Sequence, residues 1–223
     1  FSSHERVRYR FPTGRNDQEN PMLAAILENM PSDQLVIHDD VTLRDLAPGE
    51  VQIKVAHSGV CHSDLSVMNG TIPQQVPCVL GHEGAGVVTD VGDGVTHVAP
   101  GDHVIIAFSP PCGTCPFCTG RNQPNLCMTG MIAMATSQQF RRGDTVVGSM
   151  SGCGTFAEET IVPGFAAIKI DQDVPLDVAA LIGCGVTTGV GAAMNTAKVS
   201  PGSSVCIIGA GGVGVAAIQG ARI

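Results

Sequence analysis

The sequence predicts an α/β protein in which a β-barrel-like domain precedes the first strand and helix of a parallel α/β unit. From Met22 to about Cys127, short apolar runs alternate with turns that contain Gly and Pro, as in barrels built from many short strands. After about Asp171, apolar and small residues recur at helical spacing. We therefore expect a tail at 1–21, a barrel domain at 22–185 and the α/β unit at 186–223.

Composition excludes several classes of function. The chain is 43% hydrophobic and 14% charged with a net charge of −8, which is typical of a globular protein. Lys and Arg form no cluster beyond Arg141-Arg142, so we expect neither nucleic acid nor an anionic membrane as a partner. No apolar run reaches the roughly 18 residues that a membrane-spanning helix needs.

The chain has nine cysteines, an odd number, and its first residues do not form a signal peptide. We therefore expect reduced thiols that bind metal and a cytoplasmic location, rather than a secreted disulfide scaffold. Residues 1–21 show no clear period and are expected to be a disordered tail without an assigned function.

The first elements follow from local patterns. Met22–Leu27 is the expected beginning of the folded part, and Ala47-Pro48-Gly49-Glu50 is a turn. Alternation of Val51, Ile53 and Val55 with polar residues predicts a half-buried strand that delivers Cys61 to its end. His62-Ser63-Asp64 is then expected to cap a short helix over Leu65–Asn69.

Further strands are expected at Gly84–Val88, at Val104–Phe108 and within Gly154–Ile170, and Ser137–Asp144 is a polar stretch. The later elements are expected to be helices at Leu176–Leu181 and Val186–Lys198, a buried strand at Val205–Ile208, and a helix from Val215 onward.

Four cysteines lie close together as Cys112-x2-Cys115-x2-Cys118-x8-Cys127. Such spacing lets one loop wrap a single tetrahedral zinc, and four thiolates would leave no position for water or substrate. Two disulfides, or thiols without a common role, are the alternatives.

A second set of metal-type residues is dispersed: Cys61, His82 and Cys184. Their long separations prove nothing, because a lone cysteine is usually a small buried hydrophobe and a lone histidine usually has a structural role. As a set, two cysteines and one histidine with an open position match a catalytic zinc.

The glycine-rich run Gly209-x-Gly211-x-x-Gly214 follows an apolar run and opens a predicted helix. That context predicts a dinucleotide-binding turn, with an ordinary strand-to-helix turn as the alternative. The acidic residue expected about 20 residues later would lie beyond Ile223, and we expect the sequence to be a C-terminally truncated fragment.

The chain from Met22 to Ile223 resembles the zinc-dependent medium-chain alcohol dehydrogenase family. Five motifs in the family's order carry the resemblance: Gly59-Val60-Cys61-His62-Ser63-Asp64, Gly81-His82-Glu83-Gly84-Ala85-Gly86, the four-cysteine loop, Gly183-Cys184-Gly185-Val186-Thr187-Thr188-Gly189, and the Gly209 run. The resemblance implies a GroES-like catalytic domain followed by the start of a Rossmann-fold domain.

The resemblance also implies two zinc ions per chain and NAD as cofactor, with NADP not excluded. It implies that Cys61, His82 and Cys184 hold a catalytic zinc and that the four-cysteine loop holds a structural one. Asp64 would accept a hydrogen bond from His82, Glu83 would lie behind the metal, and Ser63 would take the alcohol proton. Cofactor contacts would come from His62, Thr188, Gly209, Gly211, Gly212, Val213 and Gly214, and Phe108 would form a wall of the substrate pocket.

The sequence departs from the family at two places. Ser66 stands where many relatives have a histidine at the outer end of the proton relay, so that step would use water or another group. The gap from Cys118 to Cys127 is one residue longer than usual, with Pro124 inside it.

The resulting expectation is an oxidoreductase that transfers hydride between a small alcohol or aldehyde and a nicotinamide cofactor, in a homo-oligomeric parent. One alternative is a thiol-dependent formaldehyde dehydrogenase acting on an S-hydroxymethyl thiol. An alternative of another class is a catalytically incompetent zinc-binding fragment, which we expect for the 223-residue chain itself but not for its longer parent.

Overall fold

A computed structural model describes residues 21–223, so nearly all of the predicted tail at 1–21 lies outside the described residues. The strands of the described part are β1 (Met22–Leu27), β2 (Val36–Leu43), β3 (Glu50–Gly59), β4 (Cys78–Val79), β5 (Glu83–Val91), β6 (His103–Ile106), β7 (Phe140–Arg142), β8 (Thr145–Ser149), β9 (Glu159–Pro163) and β10 (Ala167–Lys169). The α-helices are α1 (His62–Met68), α2 (Pro116–Thr119), α3 (Met128–Ala135), α4 (Leu176–Ala179), α5 (Gly185–Gly191) and α6 (Gly212–Arg222).

A closed barrel is formed by the strand order β1-β2-β7-β8-β4. Its pairs are antiparallel except β4 with β8, where Cys78 lies beside Gly148 in parallel register. Ile26 and Phe140 are fully buried inside, and the apolar alternation of β1 supplies much of that interior. Closure leaves no free edge in this sheet.

A second sheet has the order β10-β6-β5-β3-β9. In β3 the side chains of Val51 and Ile53 are fully buried while Lys54 is exposed, so the alternation predicted for this strand is confirmed. Antiparallel pairing of Gly59 with Glu83 places the end of β3 beside the beginning of β5. The functional residues described below lie at this end of the sheet.

The structure corrects one predicted boundary and adds a strand that the sequence did not predict. Helix α1 begins at His62, three residues earlier than expected, because Cys61 rather than His62–Asp64 occupies the cap position. The stretch Ser137–Asp144 contains β7, although its composition is polar. Gln139 is fully buried there because its amide is hydrogen-bonded to Gly152 O and to three hydroxyl groups, those of Ser137, Ser149 and Thr160.

The predicted C-terminal helices are present but irregular. Leu176–Ala179 is α-helical and continues as a 3₁₀ turn over Ala180–Gly183. Helix α5 changes into a π-helical turn at Ala192–Thr196. Helices α5 and α6 pack closely, since a Cβ atom on Gly189 would lie 2.3 Å from Val213 O.

The prediction of a buried strand at Val205–Ile208 is wrong for the described structure. This segment has no strand conformation, and the side chain of Ile208 is 98% exposed. A strand needs a neighbouring strand to pair its N–H and C=O groups, and within residues 21–223 no strand pairs with this segment.

Within the described chain, no single helix is both long and apolar enough to cross a membrane. One bent pair, Leu176–Gly183 with Gly185–Thr196, meets the criteria of length and composition alone. The predicted fold class, α/β with a β-barrel, is confirmed.

The turn before β3 generates a stability prediction. Arg44 donates two hydrogen bonds to the Glu50 carboxylate, at 2.7 and 2.6 Å, and the Ala47 N–H donates a third at 3.0 Å. Burial opposes ionisation of Glu50, but these donors hold its pKa below the ordinary value. The stabilisation is therefore complete above the unfolded glutamate pKa of about 4.3 and is lost as the pH falls through the lower folded value.

We expect Glu50→Gln to lower the free energy of unfolding by about 1 kcal/mol at neutral pH, since charge-assisted hydrogen bonds are replaced by weaker ones. Urea unfolding followed by circular dichroism measures this difference, which should shrink at about pH 3. Asp173→Asn at an exposed position is the control. An equal difference at both pH values would contradict the role of the Glu50 charge.

Candidate functional site

Cys61 stands between the end of β3 and the first turn of α1, as the N-cap residue. The Cys61 N–H donates to Asp64 Oδ2 at 2.9 Å, and the Asp64 N–H donates to Cys61 O at 3.1 Å. This reciprocal pairing holds the cysteine at the helix start, and the thiol is half-buried.

His82 and Glu83 follow a sharp bend at Gly81, whose φ of +86° favours glycine. The Gly81 N–H donates to the other oxygen of Asp64, Oδ1, at 3.0 Å. The same oxygen lies 3.4 Å from His82 Nδ1, too far and too poorly aligned for a hydrogen bond. The hydrogen bond predicted from His82 to Asp64 is therefore not formed in the described structure, although the two buried side chains lie close together.

Cys184 lies where the 3₁₀ turn Ala180–Gly183 meets α5. One ligand atom from each of Cys61, His82, Glu83 and Cys184 lies within 4.8 Å of the others. Residues separated by as many as 123 positions in the sequence therefore share one small volume. Two sulfurs, an imidazole and a carboxylate form a donor set that suits zinc. We call these four residues the mixed site.

Glu83 is buried and connects two parts of this cluster. Its Oε1 accepts a hydrogen bond from the Gly185 N–H, directly after Cys184, at 3.2 Å. A Cβ atom on Gly59 would lie 2.3 Å from Glu83 Oε2, so glycine at that position leaves room for the carboxylate.

The electrostatics of the cluster favour a cation. Burial opposes ionisation of Cys61, yet hydrogen bonds from Ser63 and the charge of His82 lower the pKa of this thiol. Burial alone would lower the pKa of His82, but Asp64 and Cys61 raise it. Burial, with the negative charges of Cys61 and Glu83, raises the pKa of Cys184 to about 12. A bound cation would relieve this crowding of negative groups.

Other predicted residues surround the cluster. Ser63 Oγ lies 3.6 Å from Cys61 Sγ. His62 is exposed, and its Nδ1 lies 3.3 Å from the Ser66 hydroxyl one helical turn later. The Phe108 ring meets the His82 ring edge to face, with 5.6 Å between their centroids. The roles assigned to these residues stay predictions.

The four-cysteine loop forms a separate cluster. One sulfur from each of Cys112, Cys115, Cys118 and Cys127 lies within 4.8 Å of the others, and all four are free thiols. The longer gap before Cys127 is taken up by a 3₁₀ turn at Pro124–Leu126. The cluster therefore has the geometry predicted for a metal wrapped by one loop.

Backbone donors show that this loop is arranged for thiolates. Cys127 Sγ accepts from the N–H groups of Cys112 and Gly130, both at 3.2 Å, and these bonds lower its pKa. Hydrogen bonds from Thr114 and from the Cys115 N–H lower the pKa of Cys112 to about 5. Burial, with neighbouring thiolates, raises the pKa of Cys118 to about 12. A cation at the centre would compensate for this repulsion, so the residues fit a tetrathiolate zinc.

The glycine-rich turn has room for a ligand on one side only. Gly209 has a φ of +102°, and a Cβ atom on Gly214 would lie 2.0 Å from Gly209 O. Gly211 and Gly212 have no atom within 4 Å of a Cβ position, so their surface is open. Val213, in the first turn of α6, and Thr188 in α5 are both exposed. This arrangement fits the close approach of a pyrophosphate.

Sequence reasoning missed Thr155 and Ser58, which contact the glycines on either side of the His82-Glu83 pair: Thr155 meets Gly81 and Gly84, and Ser58 pairs with Gly84. Their hydroxyl groups are hydrogen-bonded at 2.7 Å. Gly81 and Gly84 flank the His82-Glu83 pair, and glycines on both sides of a buried pair could have indicated close packing.

Comparisons with known proteins agree with this geometry. The family model of the alcohol dehydrogenase GroES-like domain matches residues 47–172. An S-(hydroxymethyl)glutathione dehydrogenase of Photobacterium damsela subsp. piscicida is 48% identical over 189 residues, which are 80% of this chain and 51% of the relative. The chain thus spans about half the length of the curated relatives it matches.

Solved structures resemble the chain over most of its length. An alcohol dehydrogenase zinc-binding domain protein from Burkholderia ambifaria has a TM-score of 0.82 and 32% identity, covering 90% of this chain and 55% of that one. An acetophenone reductase from Geotrichum candidum NBRC 4597, in complex with NAD, has a TM-score of 0.72 and 29% identity, covering 93% and 56%.

We expect Cys115→Ser to remove one equivalent of zinc and to lower the melting temperature by about 4–8 °C, as a loss of about 2 kcal/mol does in a chain of this size. Elemental mass spectrometry and thermal unfolding measure the two effects. Cys206→Ser is the matched control, because Cys206 is exposed and outside both clusters. A zinc content and melting temperature like those of the wild type would contradict the tetrathiolate site.

Proposed function

Because the chain belongs to the zinc-dependent medium-chain alcohol dehydrogenase family, we propose that it forms the metal-binding part of an enzyme that oxidises an alcohol with NAD. The observation that carries this proposal is the meeting of Cys61, His82 and Cys184 within one 4.8 Å cluster. Two cysteines and one histidine leave a position at zinc for a substrate.

In this proposal Cys61, His82 and Cys184 hold a catalytic zinc, and the four-cysteine loop holds a structural zinc. Zinc, when bound, supplies Lewis-acid chemistry that lowers the pKa of an alcohol. Ser63, with its hydroxyl 3.6 Å from Cys61 Sγ, takes the proton that the alcohol loses while its own hydroxyl proton passes outward. Ser66 cannot titrate near neutrality, so the last transfer of the proton goes to water or to another group.

The remaining residues orient the reactants. Phe108 packs against His82 and against the core that includes Met134, which makes one wall of the substrate space apolar. Asp64 holds the segments of Cys61 and His82 together. The open surface at Gly211 and Gly212 receives the NAD pyrophosphate, and the acetophenone reductase in complex with NAD supports this cofactor.

A second candidate is favoured by the relatives named S-(hydroxymethyl)glutathione dehydrogenase. A thiol adduct carries carboxylates and needs cationic groups at the rim of its site. The simple alcohol stays the first candidate because the apolar ring of Phe108, which packs against His82, suits an uncharged substrate. The expected homo-oligomer and the cytoplasmic location stay predictions.

We expect Cys61→Ser to lower kcat/KM for alcohol oxidation at least about a hundredfold, because a metal ligand is lost. NADH formation is followed by absorbance, on this chain and on any longer natural protein that contains it. Cys206→Ser should retain wild-type turnover. Equal turnover in Cys61→Ser would overturn the catalytic assignment. Normal zinc content without NADH binding or turnover in the wild type would support the incompetent fragment instead.

The substrate class is tested by comparing a plain primary alcohol with S-hydroxymethylglutathione in the same assay. We expect the plain alcohol to give the higher kcat/KM, by about tenfold or more, since Phe108 forms an apolar wall beside His82. A preference for the thiol adduct would favour the second candidate and would leave the zinc assignments intact.

A further inference from the structure

Thr155 lies in a segment that runs beside the bend carrying His82. The Thr155 N–H donates to Gly81 O at 3.0 Å, and the following Phe156 N–H donates to Leu80 O, also at 3.0 Å. Thr155 is only 2% exposed, although it belongs to neither metal-type cluster. Its backbone therefore holds the bend that leads to His82 through Gly81 O, while Asp64 holds the same bend through the Gly81 N–H.

The hydroxyl of Thr155 reaches a third segment. It is hydrogen-bonded at 2.7 Å to the hydroxyl of Ser58, which lies on β3 three residues before Cys61. Ser58 is also the pairing partner of Gly84 in β5. One side chain thus connects the strand that leads to Cys61 with the strand that begins at Glu83.

The methyl group of Thr155 fills the space above a glycine. A Cβ atom on Gly84 would lie 2.5 Å from Thr155 Cγ2, and one on Gly81 would lie 2.5 Å from Thr155 Oγ1. Gly81 and Gly84 flank His82 and Glu83 directly, so Thr155 is packed against both ends of this pair. Such contacts restrict how far the pair can move toward or away from Cys61.

We propose that Thr155 is a positioning residue for the mixed metal site, acting through Ser58, Gly81 and Gly84 to hold His82 and Glu83 at a fixed distance from Cys61. The proposal rests on the proposed function only in that the site binds zinc. Residues that orient metal ligands without touching the metal commonly change affinity by about 10- to 100-fold.

The test measures zinc affinity of the full chain by competition with a chromophoric chelator, and Cys61→Ser identifies which of the two binding steps belongs to the mixed site. Thr155→Val keeps the shape but loses the hydroxyl. We expect it to weaken zinc binding at the mixed site by about 10- to 100-fold and to leave the four-cysteine site unchanged. Thr155→Ser, which keeps the hydroxyl, should restore most of the affinity.

Absorption spectra of the cobalt-substituted protein give a readout that stability alone would not move. Thr155→Val should shift the ligand-field bands of the mixed site, and Thr155→Ser should return them toward the wild type. Thr160→Val is the matched control, since it removes a fully buried threonine hydroxyl whose partners are Gln139 and Cys153 O. It should lower the melting temperature without shifting these bands.

A compensating pair tests the packing contact. Gly84→Ala places a Cβ atom against Thr155 Cγ2 and should weaken zinc binding at the mixed site. Adding Thr155→Ser removes Cγ2 and leaves the milder contacts at 3.1 Å to Ile106 Cδ1 and 3.2 Å to the Cβ of residue 155, so the double variant should bind zinc more tightly than Gly84→Ala alone. If both changes only damaged the fold, their effects would add instead.

The outcomes separate the two proposals. Wild-type zinc affinity and cobalt spectra in Thr155→Val would overturn the positioning role and leave the proposed function standing. If Thr155→Val does not fold, Ser58→Ala removes the same hydrogen bond from the other side, and wild-type affinity there would overturn it equally. A wild-type chain that binds no metal at the mixed site would overturn both, whereas normal metal binding without alcohol oxidation would overturn only the function.

Discussion

The geometry of the mixed site depends on the buried carboxylate of Asp64. Its two oxygens accept the N–H groups of Cys61 and Gly81, which belong to segments 20 residues apart. Asp64 is only 2% exposed, and a buried carboxylate is costly unless it is hydrogen-bonded. Folding therefore favours the backbone conformation in which both N–H groups reach this carboxylate. The same arrangement places Cys61 and His82 within reach of one ion.

Much of this site could be predicted from the sequence because its ligands are chemically distinctive. The cysteines with x2 gaps stay close in any fold, and the structure brings them together as expected. Cys61, His82 and Cys184 are distant in sequence, and only the resemblance to a family, through five motifs in order, grouped them. Thr155 and Ser58 could not be identified this way, because serine and threonine hydroxyls have many ordinary roles in local hydrogen bonding.

Secondary structure could be predicted from the sequence where burial of one face sets the pattern. It could not be predicted where the conformation depends on hydrogen-bond partners from distant parts of the chain. The alternation in β3 follows from one buried face. Strand β7 was missed because Gln139 and two arginines suggest a surface loop, whereas partners distant in sequence satisfy the buried amide. Val205–Ile208 has the residue types of a core strand, but strand conformation depends on a paired neighbour as well as on residue type.

The glycines around the mixed site tolerate substitution less well than the exposed residues beside it. At Gly59, Gly81, Gly84 and Gly86 even one methyl group would collide with an atom at 2.1–2.5 Å, so a substitution there must displace a neighbouring group. The neighbouring Val60 is 82% exposed and free of such restriction. Substitutions among descendants of this chain should therefore accumulate at exposed positions such as Val60, and the packed glycines should change less often.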